Sequence, residues 1–453
     1  IGSLFLWGCA GTPEEEIPEE PPEEEVPEVS IHPYESISAA MAAGKPDEAL
    51  EEFEKAYSEE PDSLDTRILY TSLLITAGRI ERAKDILENL QEESPENPEI
   101  LYNLALIAGI EERNDEQLSL LRRIIDIDPK HAQARSTLGE LYLEEGKTDE
   151  AESQFATALE QDPDNFVARV GYGHALLRNK KYEDSIEQLD EAIELYPEFP
   201  FAYADRSKAK ARLDDTNSAL EDMTKAIELD PDHYWHYVDR GKLRILAGNH
   251  KEALEDFNKA IEIDPDYFLA YVYRAGVHDE KDRLEEALRD YMKVYEEKPD
   301  YYPLYQPSAV IAYILEDYET AREMFMRMYE RFPDEYAAGL MAGICDYFAG
   351  NESRGESFLS KEMNKWPREG HFYHLGRLFT NGSGYDSRIL KNIKEEEVPP
   401  RKARALFYLA TYYKLQDKQS LANKYFMEVS DLAVYGLFEN RIVEHELEGV
   451  IDE

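Results

Sequence analysis

Cysteine is scarce in this chain, and basic residues are few relative to acidic ones. Only Cys9 and Cys345 occur among 453 residues, too few for a disulfide framework. The 50 Lys and Arg residues stand against 97 Asp and Glu, which gives a formal net charge of −47. Because nucleic-acid binders neutralise phosphates with basic side chains, this balance argues against a nucleic-acid partner. The 42% of apolar residues is still enough to build a core.

Motifs typical of enzymes and metal sites are also missing. The sequence has no GxxxxGKS/T phosphate loop, no GxSxG, no HExxH and no paired-cysteine metal spacing. Two His-x-x-His pairs occur, His233 with His236 and His371 with His374. Because His233 and His236 straddle an expected helix start, a shared face for them is doubtful. We therefore predict no catalytic activity, no cofactor and no metal site.

The N-terminal residues form an apolar run that ends at Cys9. Leu6 lies three residues before this cysteine and Gly8 directly before it. The pattern resembles the lipobox of bacterial lipoprotein signal peptides, from which Trp7 departs. The resemblance implies that residues 1–8 are the end of a truncated signal peptide and that the Cys9 thiol carries a lipid. Cys345, in contrast, lies in an apolar helical stretch and is expected to be buried and inert.

The segment after Cys9 is rich in proline and glutamate. Residues 12–29 contain five prolines and nine glutamates, and no basic residue precedes Lys45. Proline removes helix donors and glutamates repel one another, so we predict that residues 9–29 are a lipidated, extended tether. The implied location is the periplasmic side of a bacterial membrane. Because Ala10 and Gly11 replace the Asp of inner-membrane lipoproteins, the outer membrane is favoured.

From residue 30 onward, the dominant feature is a proline every 34 residues. Each proline stops a helix, because the residue before proline avoids the α region. With proline as position 32, repeats begin at residues 30, 64, 98 and so on to 336, and Pro400 sets later starts at 369 and 403. The sequence therefore predicts twelve repeats. The prolines in register are Pro61, Pro95, Pro129, Pro163, Pro197, Pro231, Pro265, Pro299, Pro333 and Pro367.

Other positions of the repeat vary as two packed helices require. Position 8 is Gly, Ala or Ser in ten of the twelve repeats, and position 20 is Ala in eight, so two backbones can approach closely. Position 15 is Gly in five repeats, where the first helix must end in a left-handed turn. Position 24 is large and apolar in eleven repeats, with Asn392 as the exception.

These positions resemble the signature of the tetratricopeptide repeat (TPR), a 34-residue helix-turn-helix unit. The best single copy runs from Tyr234 to Pro265. The resemblance covers residues 30–436 and implies an all-α TPR superhelix, an α-α solenoid of about twelve helix pairs. Apolar residues at helical spacing within residues 437–453 predict a capping helix after the last repeat.

Repeat 11 departs most from the pattern. Arg388, Asn392 and Glu395 stand at its positions 20, 24 and 27, where small or apolar residues are usual. It also carries the loop of residues 380–386, which contains two glycines. We expect an irregular joint at this repeat.

In TPR proteins the first helices line a groove that holds peptides or partner helices. The first helices of repeats 5 to 7 carry ten basic residues and two acids, Asp205 and Asp239. The arrangement resembles a carboxylate clamp, although the two aspartates replace its asparagines. We predict a basic groove for an acidic or carboxylate-bearing segment; alternatively, the lysines pair with these aspartates. The candidate residues are Arg178, Phe201, Lys208, Arg212, Trp235 and Lys242.

The groove positions of repeats 9 and 10 are apolar instead. They include Tyr313, Leu340, Ile344 and Tyr347, which either receive a partner helix or contact the protein's own next turn. Together these patterns predict a membrane-tethered envelope lipoprotein that acts as a protein-binding scaffold. Two alternatives stay open: a periplasmic small-ligand-binding or transporter-accessory component, and a cytosolic TPR adaptor if the lipobox is accidental.

Overall fold

The computed structural model describes residues 33–57, 63–381 and 384–448. Within these residues it contains 25 α-helices and no β-strand. None of these helices is both long and apolar enough to cross a lipid bilayer. Cys9, the tract of residues 12–29 and Pro61 lie outside the described residues, as do Gly382 and Ser383 of the predicted irregular loop.

The helices fall into two compact bodies, divided between Asn165 and Phe166. The N-terminal body holds eight helices in its described part, and each packs against the next along the chain. They are α1 (Pro33–Ala42), α2 (Pro46–Ala56), α3 (Leu64–Thr76), α4 (Ile80–Glu93), α5 (Pro98–Ile110), α6 (Asn114–Ile127), α7 (Ala132–Glu144) and α8 (Thr148–Gln161).

The C-terminal body holds the remaining seventeen helices of the described chain and one short 3₁₀ turn, Tyr302–Leu304. Its repeats 5 to 8 comprise α9 (Phe166–Arg178), α10 (Tyr182–Leu195), α11 (Pro200–Arg212), α12 (Thr216–Leu229), α13 (Tyr234–Leu246), α14 (His250–Ile263), α15 (Phe268–Glu280) and α16 (Leu284–Glu297). Later come α17 (Tyr305–Ile314), α18 (Tyr318–Arg331), α19 (Tyr336–Phe348), α20 (Glu352–Met363), α21 (His371–Asn381), α22 (Asp386–Glu395), α23 (Pro399–Leu415), α24 (Gln419–Asp431) and α25 (Glu439–Glu446).

Several helix pairs close where a large side chain at position 24 meets a glycine at position 8. In repeat 7 a Cβ atom added to Gly241 would lie 2.5 Å from the ring of Phe257, and in repeat 5 one added to Gly173 would lie 2.7 Å from Leu189. Position 8 is therefore small because the side chain at position 24 occupies its space. This packing confirms the predicted all-α fold of stacked helix pairs, with α25 following the twelfth pair.

In eleven of the twelve pairs, the turn between the two helices has a left-handed residue at position 15. Glycine occupies it in five repeats, for example Gly146 with φ 74°. Six other repeats place an ordinary side chain there, including Glu112 with φ 58° and Glu316 with φ 60°. The sequence pattern alone identified only the glycines, because the non-glycine residues share no chemistry at this position. Their backbone conformation is imposed by the packing of the two helices.

The last helix, α25, packs back onto earlier first helices of its own body. It contacts α17 and α23 as well as the neighbouring α24. Ile442, Val443 and Leu447 are buried in the same core as residues of α17 and α19. Phe438, just before α25, lies with its ring centroid 5.4 Å from that of Phe325. The helix that follows the repeats therefore covers first-helix surface in repeats 9 and 12.

Candidate functional site

The first helices of repeats 5 to 7 present one apolar side chain each at position 2. Val167, Phe201 and Trp235 are 48%, 41% and 44% exposed. Phe201 lies 5.6 Å from Phe199 between ring centroids, and Trp235 lies 4.6 Å from Tyr267. Phe201 thus packs against the last residue of the preceding repeat, Trp235 packs against the last residue of its own repeat, and both rings stay partly open to solvent.

A row of alternating charges lies on the same face, two helical turns further along. The buried carboxylate of Asp205 contacts His174 Nδ1 at 2.7 Å and Lys208 Nζ at 3.2 Å. Asp239 contacts Lys208 Nζ at 3.8 Å and Lys242 Nζ at 3.0 Å. The sequence left open that the two lysines pair with these aspartates, and the structure shows this pairing.

This pairing still leaves the lysines available at the surface. Lys208 and Lys242 each keep 45% of the side chain exposed. Burial opposes the charge of Lys208, but the carboxylates of Asp205 and Asp239 outweigh it and raise its pKa. Burial also disfavours the charged form of Asp205 and by itself would raise its pKa. The hydrogen bond to His174 and the charge of Lys208 outweigh burial and bring that pKa below its usual value. Lys208 and Asp205 are therefore both charged and compensate each other.

Arg178 and Arg212 are the least neutralised cations of this face. Both lie at position 13, near the C-terminal ends of α9 and α11, and both are exposed. Neither forms an ion pair with another residue in the described part of the chain. An exposed guanidinium without an ion-pair partner can form a forked bond to a carboxylate of a ligand.

Most other cations of these helices have a structural role. Arg206, Arg240 and Arg274 at position 7 each form a forked bond to an aspartate sixteen residues later, Asp222, Asp256 and Asp290. Those aspartates are only 6%, 2% and 5% exposed. The expected excess of ten basic residues over two acids is therefore wrong as a picture of the surface, since second-helix carboxylates neutralise many of them. The sequence signal was present, as Arg and Asp recur at this spacing in three successive repeats.

The apolar positions of repeats 9 and 10 do not form an open groove. Tyr313 is 4% exposed, and Leu340 and Ile344 are fully buried. They belong to one core with residues of α23 and α25, and Tyr347 packs against its edge. Of the two alternatives left open for these positions, the docking of a partner helix is therefore wrong, and contact with the chain's own later helices is what the structure shows. Cys345 is buried in this core as expected, and burial raises the pKa of its thiol.

The two histidine pairs are placed differently from each other. The rings of His233 and His236 stack with centroids 4.5 Å apart, although the pair straddles the helix start as expected, with His233 as the N-cap of α13 and His236 inside the helix. Burial, followed by the charge of His233, lowers the pKa of His236 to about 4. His371 and His374 lie on α21 beside a cleft. Within residues 33–57, 63–381 and 384–448, no group of three or more His, Cys, Asp or Glu side chains is placed to hold a metal ion.

Comparison with known families identifies the class of this fold. Two family models described as tetratricopeptide repeat match the chain, one over residues 40–107 and 111–157. The other matches residues 136–200, 205–268 and 247–303. Together they match more than half of the sequence, and the chain belongs to the tetratricopeptide repeat family. Proteins of this family mediate protein–protein interactions, and the fold is typically a non-enzymatic scaffold.

Several solved structures are similar to parts of the chain at low identity. YrrB, described as a TPR protein with an unusual peptide-binding site, is 24% identical with a TM-score of 0.37, covering 43% of this chain and 97% of its own. MamA from Desulfovibrio magneticus RS-1 is 22% identical with a TM-score of 0.35, covering 38% and 96%. PilF from Pseudomonas aeruginosa is 18% identical with a TM-score of 0.40, covering 45% and 92%. At these values the likeness carries no argument about function. No curated protein matches the chain.

Proposed function

We propose that this protein is a binding scaffold that holds an extended peptide segment on the first helices of repeats 5 to 7. The observation that supports this most directly is the repetition of exposed groups on one face. An aromatic ring stands at position 2 in repeats 6 and 7, and an exposed cation stands at position 9 in the same repeats. We call the surface of Arg178, Phe201, Lys208, Arg212, Trp235 and Lys242 the central surface.

The repeat spacing fixes how a peptide would fit this surface. Adjacent first helices lie roughly 10 Å apart, and an extended chain advances about 3.3 Å per residue. Phe201 and Trp235 would therefore contact side chains about three residues apart in the partner. Apolar residues at that spacing, with acidic residues between them, match both the rings and the cations.

The acidic residues of the partner are expected to engage Arg178 and Arg212. Lys208 and Lys242 already have Asp205 and Asp239 as partners, which hold the ammonium groups in place. An arriving carboxylate can join these clusters as a further acceptor, since an ammonium has three donors. The two arginines have no such carboxylate in the described chain, so a new bond from the partner to them contributes more to the binding free energy.

Binding can be tested with labelled decapeptides by fluorescence anisotropy. The probe carries Phe at every third position with Asp between, and the comparison peptides replace Asp by Asn or Phe by Ser. We expect the probe to bind more tightly than both. Substituting Phe201→Ala with Trp235→Ala, or Arg178→Gln with Arg212→Gln, should weaken binding about tenfold or more.

Matched variants outside the central surface serve as controls. Tyr435→Ala removes a ring that is 90% exposed, and Arg289→Gln removes an exposed arginine of the second helix α16. Neither should change the affinity for the probe. Equal binding of the probe by the Phe201→Ala/Trp235→Ala variant and the unaltered protein would sink the proposal.

We also propose that the scaffold is held at a bacterial membrane by a lipid on Cys9, on the periplasmic side, with the outer membrane favoured. The support is the sequence alone, Leu6 and Gly8 before Cys9 followed by the Pro and Glu tract. Expressed in bacteria behind a complete signal peptide, the protein should incorporate labelled fatty acid and fractionate with membranes. A Cys9→Ser variant should do neither. Unchanged labelling of that variant would exclude Cys9 as the anchor.

A further inference from the structure

Repeat 11 departs from the packing of the other repeats, and a cleft lies at the place of departure. Position 24 holds Asn392, where eleven repeats have a large apolar side chain, and position 27 holds Glu395. Both are exposed and line a cleft with a volume of about 620 Å³. The helix that carries them, α22, has ten residues, whereas the second helix α18 has fourteen.

Side chains of the preceding repeat fill the core of this repeat. The residue at position 24 is therefore not needed there, and the cleft beside it stays open. In repeat 7 the ring at position 24 covers the glycine at position 8. In repeat 11 the corresponding Gly376 is covered by Met363 and Trp366 of the preceding repeat instead. Asn392 is thus released from core packing. A polar residue where packing normally selects Phe or Leu indicates that the space serves another purpose.

One wall of the cleft is aromatic and held in place. The ring of Tyr336 lies 5.7 Å from Trp366 and 6.1 Å from Phe372, between centroids. Trp366 donates a hydrogen bond from Nε1 to the Tyr329 hydroxyl at 2.8 Å. A fixed wall of this kind binds apolar side chains with little loss of conformational entropy.

The other groups of the cleft carry opposite charges that do not neutralise one another. Arg401 and Arg404 line it together with Glu395 and Glu396. Among the described residues, no ion pair joins either arginine to either glutamate, and Glu395 instead lies 3.9 Å from the exposed Lys391. Arg404 is fixed by its Nε contact of 3.1 Å with the buried carboxylate of Glu439. Separated charges around a cavity favour a ligand that carries both signs.

His371 adds a polar group with no protein partner. Its Nε2 atom is buried and has no hydrogen bond to another described residue, and its side chain lines both the cleft and a smaller pocket of about 40 Å³ behind it. Burial lowers the pKa of His371 to about 4, so the ring is neutral at pH 7 and can accept or donate one hydrogen bond.

We propose that this cleft is a second binding site, for a short zwitterionic peptide. Its carboxylate would meet Arg401 and Arg404, its ammonium would meet Glu395 and Glu396, and an apolar side chain would pack on the aromatic wall. The volume lies within the range of about 300–1,000 Å³ typical of small-ligand sites. The site is independent of the central surface, because it uses none of the same residues.

Tryptophan fluorescence offers a direct test, because the chain has only three tryptophans. In a chain of residues 1–453 that carries Trp7→Phe and Trp235→Phe, Trp366 alone reports on the cleft. The probes are the tripeptide Ala-Phe-Ala with free ends, and the same peptide acetylated, amidated or both. We expect saturable binding of the free tripeptide and at least a tenfold loss of affinity when both ends are capped.

Substitutions distinguish a built site from adventitious binding. Arg401→Gln and Glu395→Gln should each weaken binding of the free tripeptide about tenfold, and Lys402→Gln, beside the cleft, should not change it. Asn392→Phe restores the usual residue of position 24 and should block the cleft while keeping the fold, as circular dichroism would verify. No saturable signal, or equal binding of the doubly capped peptide, or unchanged binding by Asn392→Phe would each overturn the proposal. None of these outcomes affects the decapeptide test of the central surface.

Discussion

Arg240 and Asp256 form a forked ion pair between the two helices of repeat 7. Nη2 of the arginine lies 2.7 Å from Oδ1 of the aspartate, and Nε lies 3.1 Å from Oδ2. Arg244 adds a third contact of 2.7 Å to the same carboxylate. Because the Asp256 side chain is 3% exposed, its charge depends on these two partners for compensation.

We predict that Asp256→Asn destabilises the protein by about 3 kcal/mol, since it leaves two poorly solvated guanidinium groups without a countercharge. Chemical denaturation followed by circular dichroism would measure the loss. The neighbouring Glu255→Gln, on the exposed side of α14, should change the midpoint hardly at all. A loss for Asp256→Asn no greater than that for Glu255→Gln would contradict the assigned role.

This pair also explains where charge arithmetic on the sequence fails. Basic and acidic residues were counted within each helix, which assigned the basic residues of repeats 5 to 7 to one face. Such a count does not include ion pairs between the two helices of a repeat. A spacing of sixteen residues joins position 7 of a first helix to position 23 of the second, and only the helix-pair geometry brings these two positions together. Lys208 and Lys242 are exposed, but their aspartate partners reduce the net charge of this face.

We next predict that Glu112→Gly stabilises the protein by about 1 kcal/mol. Glu112 has φ 58°, a left-handed conformation that costs an ordinary residue about 1–2 kcal/mol, partly offset by the larger unfolded-state entropy of glycine. The midpoint of thermal unfolding should rise. Gly146→Ala at the same position of the next repeat is the mirror experiment, and its midpoint should fall. The same direction of change in both variants would refute the argument.

The repeat frame made most of the fold predictable. Its small, large and turn positions act within 34 residues, so a single sequence reveals them. The sequence could not decide whether Tyr313 receives a partner helix or contacts the chain's own later helices, because α17 and α25 are more than ninety residues apart and no periodicity encodes their contact. For the same reason, the sequence marked Asn392 as an exception without indicating that a cleft lay there.

The role of α25 gives a third prediction. Ile442→Ala should destabilise the C-terminal body by about 2–4 kcal/mol, since it empties part of a core shared with α17 and α23. Hydrogen exchange should report the loss as faster exchange in α17 and α25. Glu444→Ala, an exposed change on the same helix, is the control and should leave the exchange of α17 unaltered. Slow exchange of α17 in the Ile442→Ala variant would mean that α25 does not stabilise it.

The pH dependence of stability gives a fourth prediction, because His236 is neutral in the fold. Burial lowers its pKa from about 6.5 to about 4, helped by the nearby charges of His233 and Lys208, while Asp230 and Asp239 act in the opposite direction. Between these two values the unfolded chain binds a proton that the folded chain does not. The contribution of the neutral His236 to the free energy of unfolding is therefore fully present above pH 6.5. It is lost as the pH falls toward 4, by about 2 kcal/mol at pH 4.5. Urea denaturation at pH 7.0 and 4.5 would measure the difference.

The control variant His236→Phe keeps a ring against His233 and Phe201 but cannot take up the proton, so its stability should fall less on acidification. His371 also titrates with a lowered pKa, but it is present in both proteins and cancels in the comparison. An equal acid-induced loss of stability in both proteins would show that His236 is not the group responsible.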